Sequence, residues 1–200
     1  RSTDLVHWEG PFTIFTPPLG FWGTHNFWAP EVHFHNDAYY LFASFKSVEN
    51  RRGTHILVSS SPLGPFAPVS PKPATPAAWE CLDGTFFLDE EGQPWMVFCH
   101  EWVQTNDGEI AAQRLSADLS RPVGEPELLF KASSAVWPKK LARRDGSGII
   151  DARVTDGPFM HRTKDGTLLM LWSTVSETGY AMGYAASSSG RLQGPWLQQE

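Results

Sequence analysis

One unit of sequence occurs three times in this chain, and its repetition constrains the fold more than any other feature. Each copy contains a short apolar strand that begins at or near an acidic residue, then a polar turn and a second apolar strand. The copies occupy residues 31–45, 83–100 and 154–172. Because Asn, Asp and Gly between two strand-like runs favour a tight reversal of the chain, each copy predicts a β-hairpin.

A third strand-like segment and a closing motif follow each hairpin. The third segments are 54–60, 109–116 and 180–187, and the closing motifs are 59–66, 116–122 and 187–196. A further closing motif, 2–12, has no hairpin before it. A hairpin, a third strand, a turn and a short outer strand form one four-stranded antiparallel sheet, which is the blade of a β-propeller.

The repeats therefore predict an all-β fold, a β-propeller of four-stranded antiparallel blades. They place the end of blade 1 at 1–16, blade 2 at 28–70, blade 3 at 81–130 and blade 4 at 154–200, within one incomplete domain. Propellers usually close with about four to eight blades. Since three complete blades and part of another cannot close a ring, we expect the chain to be an internal fragment of a longer protein.

The composition argues against two classes of partner. The net charge is −6, and the 16 basic residues form no basic run, whereas a nucleic-acid binder needs clustered Lys and Arg. No apolar segment approaches the roughly 18 residues of a membrane-spanning helix. The 9 Trp and 13 Phe residues favour a thick β core or a surface on which flat ligands such as sugar rings stack.

The cysteines and histidines predict no metal site. Cys81 and Cys99 lie on the two strands of one hairpin and could be cross-strand neighbours, but a disulfide there would be strained, and two buried thiols are the preferred interpretation. The histidines in or near the strands lack the tight spacing of metal ligands. They are His25, His33, His35, His100 and His161.

Three carboxylates, Glu31, Asp83 and Asp156, begin the first strands of the three units at matching positions. In a propeller these strands line the central channel, so their starts converge at one end of it. Paired carboxylates in a pocket are the acid and the base or nucleophile of glycosidases. The alternative for any one of them is a carboxylate that accepts hydrogen bonds at a turn or strand start.

The motifs around these acids resemble glycoside hydrolase family 43. The resemblance rests on Phe27-Trp28-Ala29-Pro30-Glu31, Leu82-Asp83-Gly84-Thr85 and Thr155-Asp156-Gly157-Pro158, together with Ser2 to Trp8. It implies a five-bladed propeller that cleaves arabinose- and xylose-containing polysaccharides with inversion. It also implies a plant cell-wall-type substrate, an extracellular or periplasmic location and no required cofactor, although a calcium or other ion in the channel is compatible with it.

The resemblance assigns roles to the acids. It places the general base, an Asp, upstream of Arg1. It implies that Asp83 tunes the acid and orients the substrate, and that the acid stands at Asp156, where the family has Glu followed by Gly-Pro. An Asp is one methylene shorter, and a misplacement of about 1 Å can cost on the order of a hundredfold in rate. Glu101 follows the second strand of the same hairpin as Asp83 and is the second candidate acid, behind Asp156.

Five further residues are candidates for binding substrate. Trp28, Trp102 and Trp137 could stack against sugar rings, and the alternative is that they pack between blades. Glu31 and His100 could face the substrate, and a structural role at the strand start is the favoured alternative for Glu31.

The leading hypothesis is an inverting glycoside hydrolase that uses a carboxylate acid and a carboxylate base. The runner-up is a carbohydrate-binding propeller that has lost catalysis, and the unexpected Asp156 is its best support. A protein-interaction propeller, the third hypothesis, predicts neither convergent carboxylates nor a cluster of exposed Trp.

Overall fold

The computed structural model describes residues 1–143 and 145–199, and most of its regular structure lies in three four-stranded antiparallel sheets. Sheet 1 consists of β1 (His25–His35), β2 (Ala38–Lys46), β3 (Gly53–Ser59) and β4 (Ala67–Pro68). Sheet 2 consists of β5 (Cys81–Leu88), β6 (Pro94–His100), β7 (Glu109–Arg114) and β8 (Glu127–Lys131). The strands of each sheet are hydrogen-bonded in chain order.

The remaining elements are sheet 3 and three short pieces. The pieces are a one-turn helix, α1 (Trp102–Thr105), a 3₁₀ turn (Ala132–Ser134) and the two-stranded ladder β9 (Leu141–Ala142) and β10 (Ile149–Ile150). Sheet 3 consists of β11 (Asp156–Arg162), β12 (Leu168–Ser176), β13 (Gly179–Ser187) and β14 (Trp196–Gln198). The predicted all-β fold with four-stranded antiparallel sheets is confirmed.

Local sequence explains the hairpins. Asn36 and Asp37 connect β1 to β2 as a two-residue turn, with φ of 46° and 60°. A type I′ turn requires positive φ at both central residues, and Asn and Asp tolerate this conformation better than most residues. The β2 strand that follows is buried from Tyr40 to Phe45 because one of its faces packs against sheet 2 and the other packs against residues 14–22.

Sheet 2 lies between the other two sheets and shares a core with each. Phe42 and Ile56 of sheet 1 pack with Met96 and Phe98 of sheet 2. On the other side, apolar residues of sheet 2 pack against sheet 3 around Trp172, which is fully buried. The inner strands are neighbours as a result, since β5 contacts both β1 and β11.

Cys81 and Cys99 are free, buried thiols on opposite sides of sheet 2. Cys81 packs in the core shared with sheet 1, and Cys99 packs in the core shared with sheet 3. Their strands pair Cys81 with His100 and Cys99 with Leu82, so the cysteines are offset by one residue. A one-residue offset places two side chains on opposite faces, which explains why the cross-strand pairing considered from the sequence does not form.

The first 24 residues contain no strand, although the sequence predicts the end of a blade there. Part of this segment packs on sheet 1, where Ile14 accepts a hydrogen bond of 2.8 Å from the Phe66 N–H. At the other end, sheet 3 exposes an apolar face formed by Phe159, Tyr180, Met182, Tyr184 and Leu197. Within 1–143 and 145–199, no helix is long and apolar enough to cross a membrane.

Candidate active site

Each of the inner strands β1, β5 and β11 contains a β-bulge near its start, where the inner strand has one more residue than its partner. The paired residues that flank the bulge are Trp28–Ser44 and Glu31–Phe42 in β1, Leu82–Cys99 and Thr85–Val97 in β5, and Asp156–Ser173 and Phe159–Leu171 in β11. The second residue of each bulge has a positive φ, which is 44° at Ala29, 55° at Asp83 and 51° at Gly157. The repeated unit is therefore a bulge near the start of the inner strand, with a left-handed residue at its second position.

The bulges show that the three carboxylates are not equivalent. Counted from one flanking pair to the next, each bulge contains four residues of the inner strand: 28–31, 82–85 and 156–159. Asp156 is the first residue of its bulge, Asp83 is the second, and Glu31 is the fourth. Asp156 corresponds to Trp28, and Asp83 corresponds to Gly157. The expectation of matching positions was wrong because the sequence comparison aligned the acids, whereas the backbone repeats the bulge.

Asp83 is connected to the neighbouring strand by its side chain. The backbone N–H of Gly157 donates to Oδ2 of Asp83 over 2.9 Å, and the Asp83 N–H donates to Oγ of Ser44 over 3.0 Å. Burial raises the pKa of Asp83 to about 6, and the negative charges of Asp156 and Glu101 act in the same direction. Asp83 can therefore hold a proton close to neutral pH.

Asp156 is bonded to a residue that the sequence analysis did not consider. The Tyr180 hydroxyl donates to Oδ2 of Asp156 over 2.8 Å from the third strand of the same sheet. Burial raises the pKa of Asp156, while the Tyr180 hydroxyl and the positive charge of Arg52 oppose that rise. Burial and the adjacent carboxylate in turn raise the pKa of Tyr180, which keeps the phenol in its donor form.

An open cavity of about 360 Å³ lies over the three bulges. This volume is within the range of small-molecule sites. Residues of all three inner strands line it: Ala29, Pro30, Glu31, Asp83, Gly157, Pro158 and Phe159. The wall thus combines two carboxylates with apolar and backbone groups.

Glu31 is held by neighbours from two strands. The Thr85 hydroxyl of β5 donates to Oε1 of Glu31 over 2.8 Å, and Nε2 of His33 contacts the same oxygen without hydrogen-bond alignment. Thr85 occupies the position in sheet 2 that Glu31 occupies in sheet 1. The contact therefore joins equivalent positions of adjacent sheets, although Glu31 also faces the cavity.

Glu101 is almost completely buried and forms an ion pair with Arg52. Burial raises the pKa of Glu101, and the Arg52 charge opposes that effect. The Arg52 guanidinium also lies 4.3 Å from the centre of the Trp28 ring. Trp28 remains 44% exposed, so a ligand can reach its ring although Arg52 already contacts it.

His100 is buried among other protein groups. Its Nδ1 lies 2.9 Å from the Glu109 carboxylate, and its Nε2 lies 2.9 Å from Oε1 of Gln104. The Trp79 ring stacks on the imidazole at 4.1 Å, with an angle of 8° between the planes. Both nitrogens and one face of His100 are thus occupied within the protein.

The two other candidate tryptophans have different surroundings. Trp102 begins α1 and is partly exposed. Trp137 packs against sheet 3, with its ring centre 4.8 Å from that of Trp172 and its Cζ2 2.5 Å from where a side chain at Gly183 would begin. Trp137 therefore packs against sheet 3, and its role in sugar stacking stays a prediction.

The residues that the structure describes contain no group of three or more His, Cys, Asp or Glu side chains that could hold a metal ion. The histidines do not gather into such a group, and His33 contacts a carboxylate already held by Thr85. The described part of the chain therefore does not by itself supply a donor set for the channel ion that the family resemblance allows, and that ion stays a prediction.

Arg52 and Tyr180 are the two site residues that sequence reasoning missed. Arg52 is 49 residues from Glu101, and Tyr180 is 24 residues from Asp156. Tyr180 lies in the third strand of its unit and Arg52 directly precedes one, and neither position is marked by a repeated residue type. The proximity of Asp83 and Asp156 to a strand start was visible in the sequence. The hydrogen bond from Tyr180 to Asp156 and the ion pair of Arg52 with Glu101 arise only in the folded structure.

The comparisons with known proteins agree with the geometry. The family model of the glycosyl hydrolases family 43 matches residues 1–200, and the chain belongs to this family. The predicted resemblance is confirmed. An endo-arabinase structure from Bacteroides thetaiotaomicron is 49% identical with a TM-score of 0.87, and the match covers 93% of this chain and 65% of that one.

Two further relatives are more distant. An extracellular endo-α-(1→5)-L-arabinanase of Bacillus subtilis is 24% identical over 62% of this chain and 40% of its own length. An extracellular exo-α-(1→5)-L-arabinofuranosidase of Cellvibrio japonicus is 24% identical over 99% of this chain and 59% of its own length. The chain thus spans between two fifths and two thirds of these relatives.

Proposed function

We propose that this chain forms part of the catalytic domain of a glycoside hydrolase that cleaves arabinose- or xylose-containing polysaccharides of the plant cell wall. Arabinan is the first substrate to test, because the 49% identical structure is an endo-arabinase and both curated relatives act on α-(1→5)-linked arabinose. The observation that carries the proposal is the cavity in which Asp83 lies beside Gly157, the residue that directly follows Asp156.

The proposal includes the remainder of the fold. The relatives are longer than the matched stretch, and both end sheets of this chain expose apolar side chains. We propose a five-bladed propeller in the full-length protein, in which this chain supplies three complete blades at 28–70, 81–130 and 154–200 and residues 1–16 end another. The general base, an Asp upstream of Arg1, is part of the same proposal.

In this mechanism Asp156 protonates the leaving oxygen while the base activates a water on the opposite side of the sugar. Inversion requires acid and base carboxyl groups about 6.5–9.5 Å apart, which leaves room for that water. Asp156 is preferred to Glu101 because Glu101 is nearly inaccessible and is paired with Arg52. Burial raises the pKa of Asp156, so the carboxyl can carry the proton that it transfers.

Asp83 supports this step through its charge and position. It accepts the Gly157 N–H, which belongs to the residue directly after the proposed acid. Repulsion between the two carboxylates contributes to the raised pKa of Asp83 and favours a proton shared by the pair. We propose that Trp28 and Glu31 contact the sugar at the side of sheet 1.

One observation favours a second function, a carbohydrate-binding propeller without catalysis. Asp156 stands where a Glu is expected, and its shorter side chain is already bonded to Tyr180. A carboxylate held in this way could accept sugar hydroxyls without reaching the glycosidic oxygen.

The test is to incubate the full-length protein with linear arabinan, arabino-oligosaccharides and xylo-oligosaccharides, and to measure the release of reducing ends. We expect hydrolysis of at least one of them, and we expect Asp83→Asn to reduce it. Binding without turnover would refute the hydrolase and support the binding propeller. Neither binding nor turnover on any of these sugars would refute both functions.

A further inference from the structure

Arg52 lies between an aromatic ring and a buried carboxylate. Its guanidinium is 4.3 Å from the centre of the Trp28 ring and forms an ion pair with Glu101. The side chains of Arg52 and Glu101 are only 12% and 5% exposed. The backbone of Arg52 is fixed as well, because its N–H donates to Glu80 over 2.9 Å and its C=O accepts from Cys81 over 2.9 Å.

The charged groups around Arg52 come from loops as well as from strands. They belong to Glu101 and Glu80 in the loops, to Asp83 and Asp156 in the bulges, and to Lys46 and Arg51 near Glu80. Lys46 forms its ion pair with Glu80 at 3.0 Å, and exposed Arg51 lies 3.9 Å from the same carboxylate. Arg52 is therefore the cation that pairs with Glu101.

We propose that Arg52 is a positioning residue of the site. Its guanidinium fixes the Trp28 ring for stacking against a sugar, and it holds Glu101 as a paired carboxylate rather than a proton donor. Arg suits both tasks because its planar cation stacks on an aromatic face while its N–H groups bind a carboxylate. The first task rests on the proposed function, whereas the second depends on the fold alone.

The sugar-binding task is tested by calorimetry with an arabino-oligosaccharide and the full-length protein carrying Asp156→Asn, which prevents turnover during the titration. In this background we expect Arg52→Met to weaken binding about tenfold. Added to Trp28→Ala, it should cause little further loss, because the ring that it positions is gone. Arg51→Met is the matched control and should leave the affinity unchanged.

Independent, multiplicative losses from Arg52→Met and Trp28→Ala would overturn the positioning role. So would wild-type affinity in Arg52→Lys, because a lysine keeps the charge but not the flat stacking surface. If the full-length protein with Arg52 and Trp28 intact binds none of the sugars, the proposed function fails together with the sugar-binding task. The pairing of Arg52 with Glu101 is still tested by unfolding.

The ion-pair task is tested with urea unfolding at pH 7. Removing one partner of a buried pair leaves an uncompensated charge, so Arg52→Met should raise the unfolding equilibrium constant on the order of a hundredfold. The same substitution should have a much smaller effect when Glu101→Gln is already present. Equal effects in both backgrounds would refute the pairing, and Arg52→Lys, which keeps the charge, serves as the second variant should Arg52→Met fail to fold.

Discussion

Replacing Asp83 with asparagine should stabilise the protein at neutral pH while it impairs the proposed reaction. The carboxyl is partly buried beside two other acids, and its pKa is raised from 3.8 to about 6. Ionised Asp83 is therefore unfavourable in the folded state. Asparagine has nearly the same shape and no charge, and its amide oxygen can accept the Gly157 N–H.

The size of the effect follows from the pKa difference. One pKa unit corresponds to about 1.36 kcal/mol, so a rise from 3.8 to about 6 amounts to about 3 kcal/mol, or about 2 kcal/mol after screening by solvent at this partly exposed position. Because the folded pKa is the higher one, the contribution of Asp83 to stability is complete below pH 3.8 and is lost as the pH rises to about 6. The gain from Asp83→Asn should thus appear between these values and persist above them.

The assay is urea unfolding of wild type and Asp83→Asn at pH 3.5 and pH 7, monitored by Trp fluorescence. We expect nearly equal stability at the lower pH and about 2 kcal/mol in favour of the variant at the higher pH. Asp118→Asn is the control, because hydrogen bonds from Ser116 and Ser120 lower the pKa of that exposed acid and the substitution should not stabilise. A gain for Asp83→Asn that is absent at pH 7, or equal at both pH values, would refute the electrostatic account.

Three further predictions concern single residues. Tyr180→Phe removes the donor that favours ionised Asp156, so it should raise the pKa of that acid and move the alkaline limb of the pH–rate profile to higher pH. Burial lowers the pKa of His55 to about 4, so the folded protein resists protonation of this imidazole. The free energy of unfolding of wild type should therefore fall by about 3 kcal/mol between pH 6.5 and pH 4. His55→Asn should abolish this loss in urea titrations. Gly183→Ala should cost about 1–3 kcal/mol in thermal unfolding, because its Cβ would lie 2.5 Å from Trp137.

Each of these predictions has a contradicting result. An unshifted pH–rate profile in Tyr180→Phe would show that its hydroxyl does not act on the acid. An equal acid sensitivity of wild type and His55→Asn would show that another group titrates. Wild-type stability in Gly183→Ala would show that the Trp137 ring can move away from β13 at no cost.

The sheets were predictable from the sequence because the residues that specify each hairpin are close together in the chain. Asn36 and Asp37 specify a tight turn, and the apolar runs on either side specify paired strands. Each unit repeats this pattern, so three four-stranded sheets followed from one argument. The family was also recognisable, since its motifs lie at these strand starts.

The arrangement of the site was less predictable because it depends on register and on distant partners. The bulges offset Glu31, Asp83 and Asp156 from one another, and no residue type marks a bulge unambiguously. Arg52 reaches Glu101 only after sheets 1 and 2 pack together. Neither the composition nor the spacing of the motifs indicates such a contact.

The choice between Asp156 and Glu101 as the acid is the central claim, and leaving-group selectivity tests it most directly. The measurement is kcat of Asp156→Asn and Glu101→Gln in the full-length protein, with an activated nitrophenyl arabinoside and with an arabino-oligosaccharide. A missing acid hurts a poor leaving group far more than a good one. We predict this selective loss in Asp156→Asn and an equal loss on both substrates in Glu101→Gln. Selective loss in Glu101→Gln, or in neither variant, would contradict the assignment.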